Sequence, residues 1–200
     1  MKKRIALFAS GEGSNVEKII QYFSGHPSVE VAVVFCNRVD APVIEKAVAA
    51  GISHITFTRK ELYDNDVVLE HLLTSKIDLI ALAGFLWLMP GKIIHAFQNK
   101  IVNIHPALLS VSPDKSTTNI YGGKGMYGIN VHRAVIQNRE KETGITIHYV
   151  NEHFDEGKII YQASCNIDPA DTPERLSQKV RELEHYHYPM IIEKLLVGKI

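Results

Sequence analysis

Two polar side chains at one strand end have the types that an acyl transfer needs. Asn103 and His105 stand two apart in the segment NIHP, and residues two apart on an extended chain project from the same face. An amide can donate a hydrogen bond to a developing oxyanion, and an imidazole can move protons. The pair therefore predicts an acyl-transfer site, with a strand-terminal histidine bonded only to the backbone as the alternative interpretation.

A carboxylate completes this set if the fold carries it to the same place. Asp155 lies in the segment HFDEG, far from His105 along the chain. A carboxylate beside an imidazole favours the protonated ring and so allows proton donation near neutral pH. Asp155 and Gly157 are also good turn formers, so both interpretations stay open at the level of the sequence.

A glycine turn offers a second kind of chemistry, the binding of an anion. The segment SGEGSN follows the first apolar run and opens an amphipathic one. Glycines allow a ligand to approach the backbone closely, and the first amides of a helix point towards it. The turn predicts a phosphate site, although a tight strand-to-helix connection explains it equally well and Glu12 must point away from a phosphate.

The elements that must position these groups follow from the periodicity of the apolar residues. Short β-branched runs predict strands, and stretches with one apolar face predict helices. The predicted strands cover residues 5–9, 29–36, 54–56, 79–82 and 101–104. The helices that alternate with them cover residues 15–23, 43–50, 67–73 and 90–97.

This alternation predicts an α/β fold, a doubly wound and mostly parallel sheet with helices on both faces. Sheets of this kind bind ligands outside the carboxyl ends of their strands. Asn103, His105 and the glycine turn all follow or end a predicted strand. We therefore expect them to share one crevice.

The chain after the fifth strand changes in composition and loses its apolar periodicity. Residues 110–128 are rich in Ser, Thr, Gly and Lys and predict a long loop. A short helix over residues 130–137 follows, and the runs 144–150 and 158–166 predict a C-terminal antiparallel hairpin. A last helix begins at Pro173.

The composition limits the classes of protein that fit. The 200 residues predict a single domain, 1–200, and 22 Lys and Arg balance 22 Asp and Glu. Zero net charge offers no field for nucleic acid or an anionic membrane, and no apolar run approaches the ~20 residues that span a bilayer. Cys36 and Cys165 predict buried, reduced thiols, and no cluster of histidines and carboxylates indicates a metal site. We expect a cytoplasmic monomer or weak homodimer that acts on small molecules.

Five segments together resemble those of one known family. They are SGEGSN, the AGF of residues 83–85, the NIHPALL of residues 103–109, the D-x-G-x-I-I pattern of residues 155–160 and an EHxxYP-like segment near the C-terminus. In this order they resemble the folate-dependent phosphoribosylglycinamide formyltransferases, from about Ile5 to the end of the chain. The resemblance implies transfer of a formyl group from 10-formyltetrahydrofolate to the amine of phosphoribosylglycinamide, a step of purine synthesis.

The resemblance also implies roles for particular residues. Its catalytic set consists of Asn103, His105 and Asp155. The residues that it implies for the ribotide, with the turn amides on the phosphate, are Gly11, Glu12, Gly13, Ser14, Asn15 and Glu184. The residues that it implies for the folate, with a basic side chain near the tail, are Lys60, Leu86, Trp87, Leu88, Met89, Asn103, Val150, Phe154 and Asp155.

Two departures from the family's pattern and several alternatives accompany this prediction. Trp87 stands where other members carry Arg, and residues 110–121 replace a short stretch that begins with Pro. The segment of residues 86–89 also fits an ordinary core segment. The alternative functions are those of a methionyl-tRNA formyltransferase, of a formyltetrahydrofolate hydrolase, and of a non-catalytic module that binds phosphate and folate.

Overall fold

The computed structural model of the chain describes residues 1–110 and 120–200. Within them, seven strands form one sheet in the order β3-β2-β1-β4-β5-β6-β7. The strands are β1 Lys3–Ala9, β2 Val29–Cys36, β3 Ser53–Thr56, β4 Leu79–Leu82, β5 Ile101–His105, β6 Glu142–Tyr149 and β7 Ile159–Asn166. The helices are α1 Ser14–Phe23, α2 Pro42–Ala49, α3 Arg59–Tyr63, α4 Val67–Thr74, α5 Gly91–Ala96, α6 Ile129–Gln137 and α7 Pro173–Leu196.

The sheet is parallel from β3 to β5, and β6 and β7 join it antiparallel. The predicted doubly wound, Rossmann-like fold with a C-terminal antiparallel hairpin is therefore confirmed. β1 pairs with β2 on one side and with β4 on the other, so the chain order reverses beside β1. At such a reversal a crevice opens outside the carboxyl ends of the strands.

Two apolar cores lie on the two faces of the sheet, because successive strand residues point to opposite sides. Leu7 belongs to the core that α1, α2 and α7 cover, and Phe8 belongs to the core that α3, α4 and α5 cover. Both side chains are 0% exposed. A third, smaller cluster joins α6 to α7 through Val131 and Leu176.

The predicted boundaries agree with the observed ones to within two residues, but one helix was not predicted. The helix α3 begins after Thr58, whose Oγ1 accepts from the Glu61 amide at 3.3 Å. In return the Glu61 carboxylate accepts from the Thr58 amide at 2.7 Å. This is a capping box, and its signature is present in the sequence as TRKE.

The two cysteines differ from the prediction in one respect. Both are free thiols, and Cys36 is buried, but Cys165 is only partly buried. The prediction of a buried thiol is wrong for Cys165 because it lies on β7, an edge strand none of whose residues is fully buried. No helix within residues 1–110 and 120–200 combines the length and the apolar character that crossing a membrane requires.

Candidate active site

A cleft of about 1040 Å³ opens at the carboxyl edge of β1, β4 and β5. Its size is that of a site for a small molecule or cofactor. All the site residues predicted from the sequence except Lys60 line this cleft: Gly11, Glu12, Gly13, Ser14, Asn15, Leu86, Trp87, Leu88, Met89, Asn103, His105, Val150, Phe154, Asp155 and Glu184.

Asp155 brings the predicted catalytic set together. Its Oδ1 is 3.5 Å from His105 Nδ1 and 3.4 Å from Asn103 Nδ2. Asn103 and His105 share one face of β5, while Asp155 lies in the connection between β6 and β7 with a φ of +56°. Asp is one of the few residue types that adopt this left-handed conformation readily. Three side chains that are distant in sequence thus meet at one carboxylate oxygen.

A second histidine belongs to this cluster and was not predicted. His148 on β6 is paired with Asn103 in the antiparallel register of β5 and β6. Its Nε2 is 3.2 Å from Asn103 Nδ2 and 3.5 Å from Asp155 Oδ1. The other ring nitrogen, Nδ1, is 2.8 Å from the carbonyl of Tyr149, which orients the ring. Pairing β6 with β5 from the sequence would have placed His148 opposite Asn103.

The Asp155 carboxylate is charged in this environment. Burial by itself would raise the pKa of Asp155, but hydrogen bonds from His105 and His148 oppose burial. The charge of His105 and the amide of Gly123 lower the pKa further, so it lies well below its usual range. A permanent negative charge therefore faces both imidazoles.

The ring of His105 has an acceptor on each side. Its Nδ1 faces the Asp155 carboxylate, and its Nε2 is 2.5 Å from the carbonyl oxygen of Tyr121. A neutral imidazole can donate at only one nitrogen, whereas an imidazolium donates at both. Both ring nitrogens of His105 therefore face a hydrogen-bond acceptor.

The chain beyond β5 is held at the point where it leaves the sheet. Thr146 Oγ1 accepts from the amide of Leu109 at 2.9 Å and donates to the carbonyl of Ala107 at 2.7 Å. Gln162 Nε2 donates to the Leu109 carbonyl at 2.9 Å. The hairpin of β6 and β7 thus fixes the outgoing end of the predicted loop.

The predicted loop of residues 110–128 lies partly outside the described residues, which omit 111–119. Beyond residue 119, the backbone of Tyr121 contacts His105 and that of Gly123 contacts Asp155. Lys124 lines the cleft together with other residues of the 123–128 segment. The returning end of the loop therefore contributes directly to the site.

The glycine turn leaves donors that face the cleft. Gly13 precedes α1 with a φ of +69°, and a Cβ at this position would overlap the side chain of Val43. No side chain of the described residues caps α1. The amides of Gly11, Glu12 and Gly13 donate to no residue within 1–110 and 120–200. Unpaired amides at a helix N-terminus attract an anion. Glu12 itself is exposed.

Glu184 closes the same end of the cleft from α7. Asn15 Nδ2 donates to Glu184 Oε2 at 2.9 Å, and the buried Oδ1 of Asn15 has no partner within the described residues. Burial raises the pKa of Glu184, although the hydrogen bond from Asn15 and the charge of Arg181 act in the opposite direction. An acidic group and an unsatisfied amide oxygen together suit a ligand that carries hydroxyl or amine donors.

The helix α7 brings two more polar residues to the cleft that were not predicted, Ser177 and Arg181. Their spacing relative to Glu184 places all three on one helix face, which is the signal that would have found them. Arg181 supplies a positive charge near the glycine turn. Across from α7, burial chiefly lowers the pKa of His132 to about 4, so this ring is neutral at neutral pH.

The predicted folate wall has both core and cleft character. Met89 is only 2% exposed and packs in the core beneath, while Leu86 is 47% exposed. The carbonyl of Leu88 accepts from the hydroxyl of Tyr63 at 2.8 Å. Residues 86–89 all line the cleft as well. The segment is therefore part of the core on one side and a wall of the cleft on the other.

The basic residue beside this wall is Arg59 and not Lys60. The Arg59 guanidinium is 4.9 Å from the ring centroid of Tyr63 and 5.7 Å from that of Trp87. Arg59, Tyr63 and Trp87 line the cleft, whereas Lys60 does not. Both basic residues lie on α3, the helix that was not predicted, so its phase could not be used to choose between them.

No group of three or more His, Cys, Asp or Glu that could hold a metal ion occurs in residues 1–110 and 120–200. The cluster at Asp155 combines one carboxylate with two imidazoles and an amide. It is arranged around hydrogen bonds and ion pairs.

Comparison with known proteins connects this cleft to one family. A family model described as formyl transferase matches residues 3–192. The chain is 36% identical over 200 residues to the phosphoribosylglycinamide formyltransferase of Bacillus subtilis, covering 97% of this chain and 95% of that protein. It is 36% identical over 205 residues to the chloroplastic phosphoribosylglycinamide formyltransferase of Arabidopsis thaliana, covering 100% of this chain and 67% of that one.

The fold agrees with that of a solved structure. The phosphoribosylglycinamide formyltransferase of Anaplasma phagocytophilum superposes with a TM-score of 0.87 at 32% identity. The match covers 100% of this chain and 89% of that one. Both the sequence and the architecture are thus shared along the whole length of the chain.

Proposed function

Because this chain belongs to the formyl transferase family, we propose that it transfers a formyl group from 10-formyltetrahydrofolate to the amine of phosphoribosylglycinamide. The chain is a formyltransferase of purine biosynthesis. The single observation that carries the assignment of its site is the meeting of Asn103, His105 and Asp155 at the cleft.

The proposed reaction begins when the amine nitrogen attacks the formyl carbon. A new C–N bond forms and the carbonyl electrons move onto the formyl oxygen. Asn103 and protonated His105 stabilise this oxyanion, and Asp155 keeps the imidazole charged and oriented. Losing one such donor typically costs ~10²–10³ in rate.

The second half of the reaction breaks the bond between the formyl carbon and N10 of the folate. The attacking nitrogen loses one proton and N10 gains one, so the protons balance. In this proposal His105 carries a proton between them, since its ring lines the cleft beside Asp155. The products are the formylated amine and tetrahydrofolate.

The ribotide would occupy the end of the cleft between α1 and α7. The amides of Gly11, Glu12 and Gly13, with Ser14 and Asn15 at the start of α1, would hold its phosphate. Glu184 would accept hydrogen bonds from the ribose or the glycinamide portion. Its contact with Asn15 supports this role, because it fixes the carboxyl group at the wall of the cleft.

The folate would occupy the other end. Leu86, Trp87, Leu88 and Met89 would form one wall for the pterin, and Val150, Phe154 and Asp155 would close over it. For the acidic tail the sequence indicates Lys60. The geometry supports Arg59 as well, because Arg59 lines the cleft and contacts the ring of Trp87.

The setting of the enzyme is part of the same proposal. We place it in the cytoplasm as a single domain, 1–200, and as a monomer or weak homodimer. Its partners would be small molecules, and neither nucleic acid nor a membrane is required. The balance of 22 basic and 22 acidic residues supports this, because the protein lacks the positive net charge that would attract a polyanionic partner.

A turnover assay tests the proposal. The protein is mixed with 10-formyltetrahydrofolate and glycinamide ribotide, and the absorbance of the deformylated folate product is followed. We expect product only when the ribotide is present, and a large loss of rate in His105→Ala. Product formed without the ribotide would indicate a hydrolase, and tight binding of both ligands without product would indicate a non-catalytic module.

A further inference from the structure

Tyr188 on α7 contacts both strands that carry the reaction centre. Its side chain is 0% exposed, and its hydroxyl lies 2.9 Å from the carbonyl oxygen of Leu82 and 3.1 Å from that of Val102. These carbonyls belong to β4 and β5, which pair through Leu82 and Asn103 at their carboxyl ends. One phenol therefore bridges the two strands just before they form the cleft.

The planarity of the peptide bond extends this contact to the site. The carbonyl of Val102 lies in the same rigid plane as the amide nitrogen of Asn103. Holding that carbonyl restricts the orientation of the Asn103 backbone, and with it the direction of the Asn103 side chain. The carbonyl of Leu82 likewise fixes Ala83, after which the chain turns at Gly84, with a φ of +78°, into the wall of the cleft.

The same hydroxyl connects α7 to the sheet. Glu184 is four residues before Tyr188 and therefore lies on the same helix face, one turn nearer to the glycine turn. The contacts of Tyr188 with β4 and β5 therefore lie one helical turn from Glu184, which is bonded to Asn15. Pro189 follows directly and has no amide hydrogen to donate, so the helix relies on side-chain contacts here.

We propose that Tyr188 is a positioning residue for formyl transfer. Its hydroxyl sets the spacing of β4 and β5 at their carboxyl ends and the rotation of α7 against them. Asn103 on one side and Glu184 on the other are thereby held at the separation that the two substrates need. This inference rests on the proposed function, but the position of Asn103 can be observed without turnover.

The test replaces Tyr188 with side chains that keep the ring. Tyr188→Phe removes only the hydroxyl, and we expect kcat to fall about tenfold, because small misplacements of reacting groups have effects of this size or larger. The KM for the folate should stay within about twofold of wild type, because its wall is unchanged, whereas the KM for the ribotide should rise because Glu184 shifts. The side-chain amide signal of Asn103 in an NMR spectrum should shift.

Two controls separate positioning from stability. Ile77→Val removes a buried methylene in the core beside β4, away from the cleft, and should lower the melting temperature without changing kcat. The amino acid p-aminophenylalanine at position 188 restores N–H donors towards both carbonyls and should recover kcat and the Asn103 signal. If Tyr188→Phe does not fold, p-methylphenylalanine fills the same volume without a donor.

The outcomes decide between the alternatives. An unchanged kcat and Asn103 signal in a folded variant without the donor would overturn the inference. So would a fall in kcat that Ile77→Val reproduces, or a folded p-aminophenylalanine protein that stays impaired. If the wild-type protein shows no formyl transfer, the proposed function fails, while the Asn103 signal still reports whether Tyr188 positions that residue.

Discussion

The backbone amide of Gly123 donates to Asp155 Oδ2 at 2.9 Å, on the side of the carboxylate away from His105. The segment that returns from the long loop is thus bound to the same carboxylate that faces the His105 imidazole. Asp155 therefore has a structural role besides the chemical one that we propose, and the two roles can be separated by measurement.

Asp155→Asn should destabilise the protein at neutral pH and should slow formyl transfer. The folded-state pKa of Asp155 is lowered, so its contribution to stability is complete above the unfolded pKa and is lost as pH falls towards the folded one. We expect a difference of about 1–3 kcal/mol in the free energy of unfolding at pH 7. It should shrink below about pH 4, where the unfolded-state Asp protonates. Urea unfolding at several pH values measures it, and a difference that does not depend on pH would contradict the assignment.

His148→Phe should lower kcat by about tenfold and leave the KM values largely unchanged, since an oriented hydrogen-bond partner of Asn103 is lost. His54→Phe is the matched control, because His54 is exposed on the far edge strand β3. Steady-state kinetics of both variants give the comparison. Equal kcat values in the two variants would exclude His148 from the reaction centre.

Gly13→Ala should cost more stability than Gly25→Ala. Both glycines have a φ near +70°, but a Cβ at position 25 meets no atom within 4 Å while one at position 13 overlaps Val43. The left-handed backbone alone costs about 1–2 kcal/mol in each variant, and the overlap adds to it only at Gly13. We also expect the KM for the ribotide to rise only in Gly13→Ala. Thermal unfolding and kinetics of the pair check this. Equal melting temperatures would contradict the overlap with Val43, and equal KM values for the ribotide would argue against a phosphate site at the turn.

Arg59→Ala should raise the KM for folates that carry several glutamates, and Lys60→Ala should have a smaller effect. The reason is that Arg59 lines the cleft beside Trp87 while Lys60 does not. The measurement compares the KM values for mono- and polyglutamylated 10-formyltetrahydrofolate in both variants. A larger effect in Lys60→Ala would support the basic residue indicated by the sequence.

The fold could be predicted because local patterns are consistent with the global arrangement. Strands such as Val29–Cys36 are continuous apolar runs, and both faces of this sheet are covered. The short helix α3 was not predicted because five residues are too few to show a helical period, although the capping box can be seen in the sequence. Cys165 was misjudged because an edge strand is apolar in sequence without being fully buried.

The site could be predicted where its residues lie in compact motifs, as with Asn103 and His105. His148 escaped because its role depends on which strand β6 pairs with, and the sequence indicates only its pairing with β7. Arg181 and Ser177 were not predicted because they reach the cleft only through the packing of α7 against the neighbouring elements. Long-range pairing and helix packing are the steps that sequence periodicity leaves undetermined.

Separate contacts hold the chain on the two sides of residues 110–120. Thr146 and Gln162 bind Leu109 on one side, and His105 and Asp155 bind Tyr121 and Gly123 on the other. A substitution at Thr146 should therefore loosen Leu109 while the contacts of Tyr121 and Gly123 remain, so the two anchors can be weakened independently.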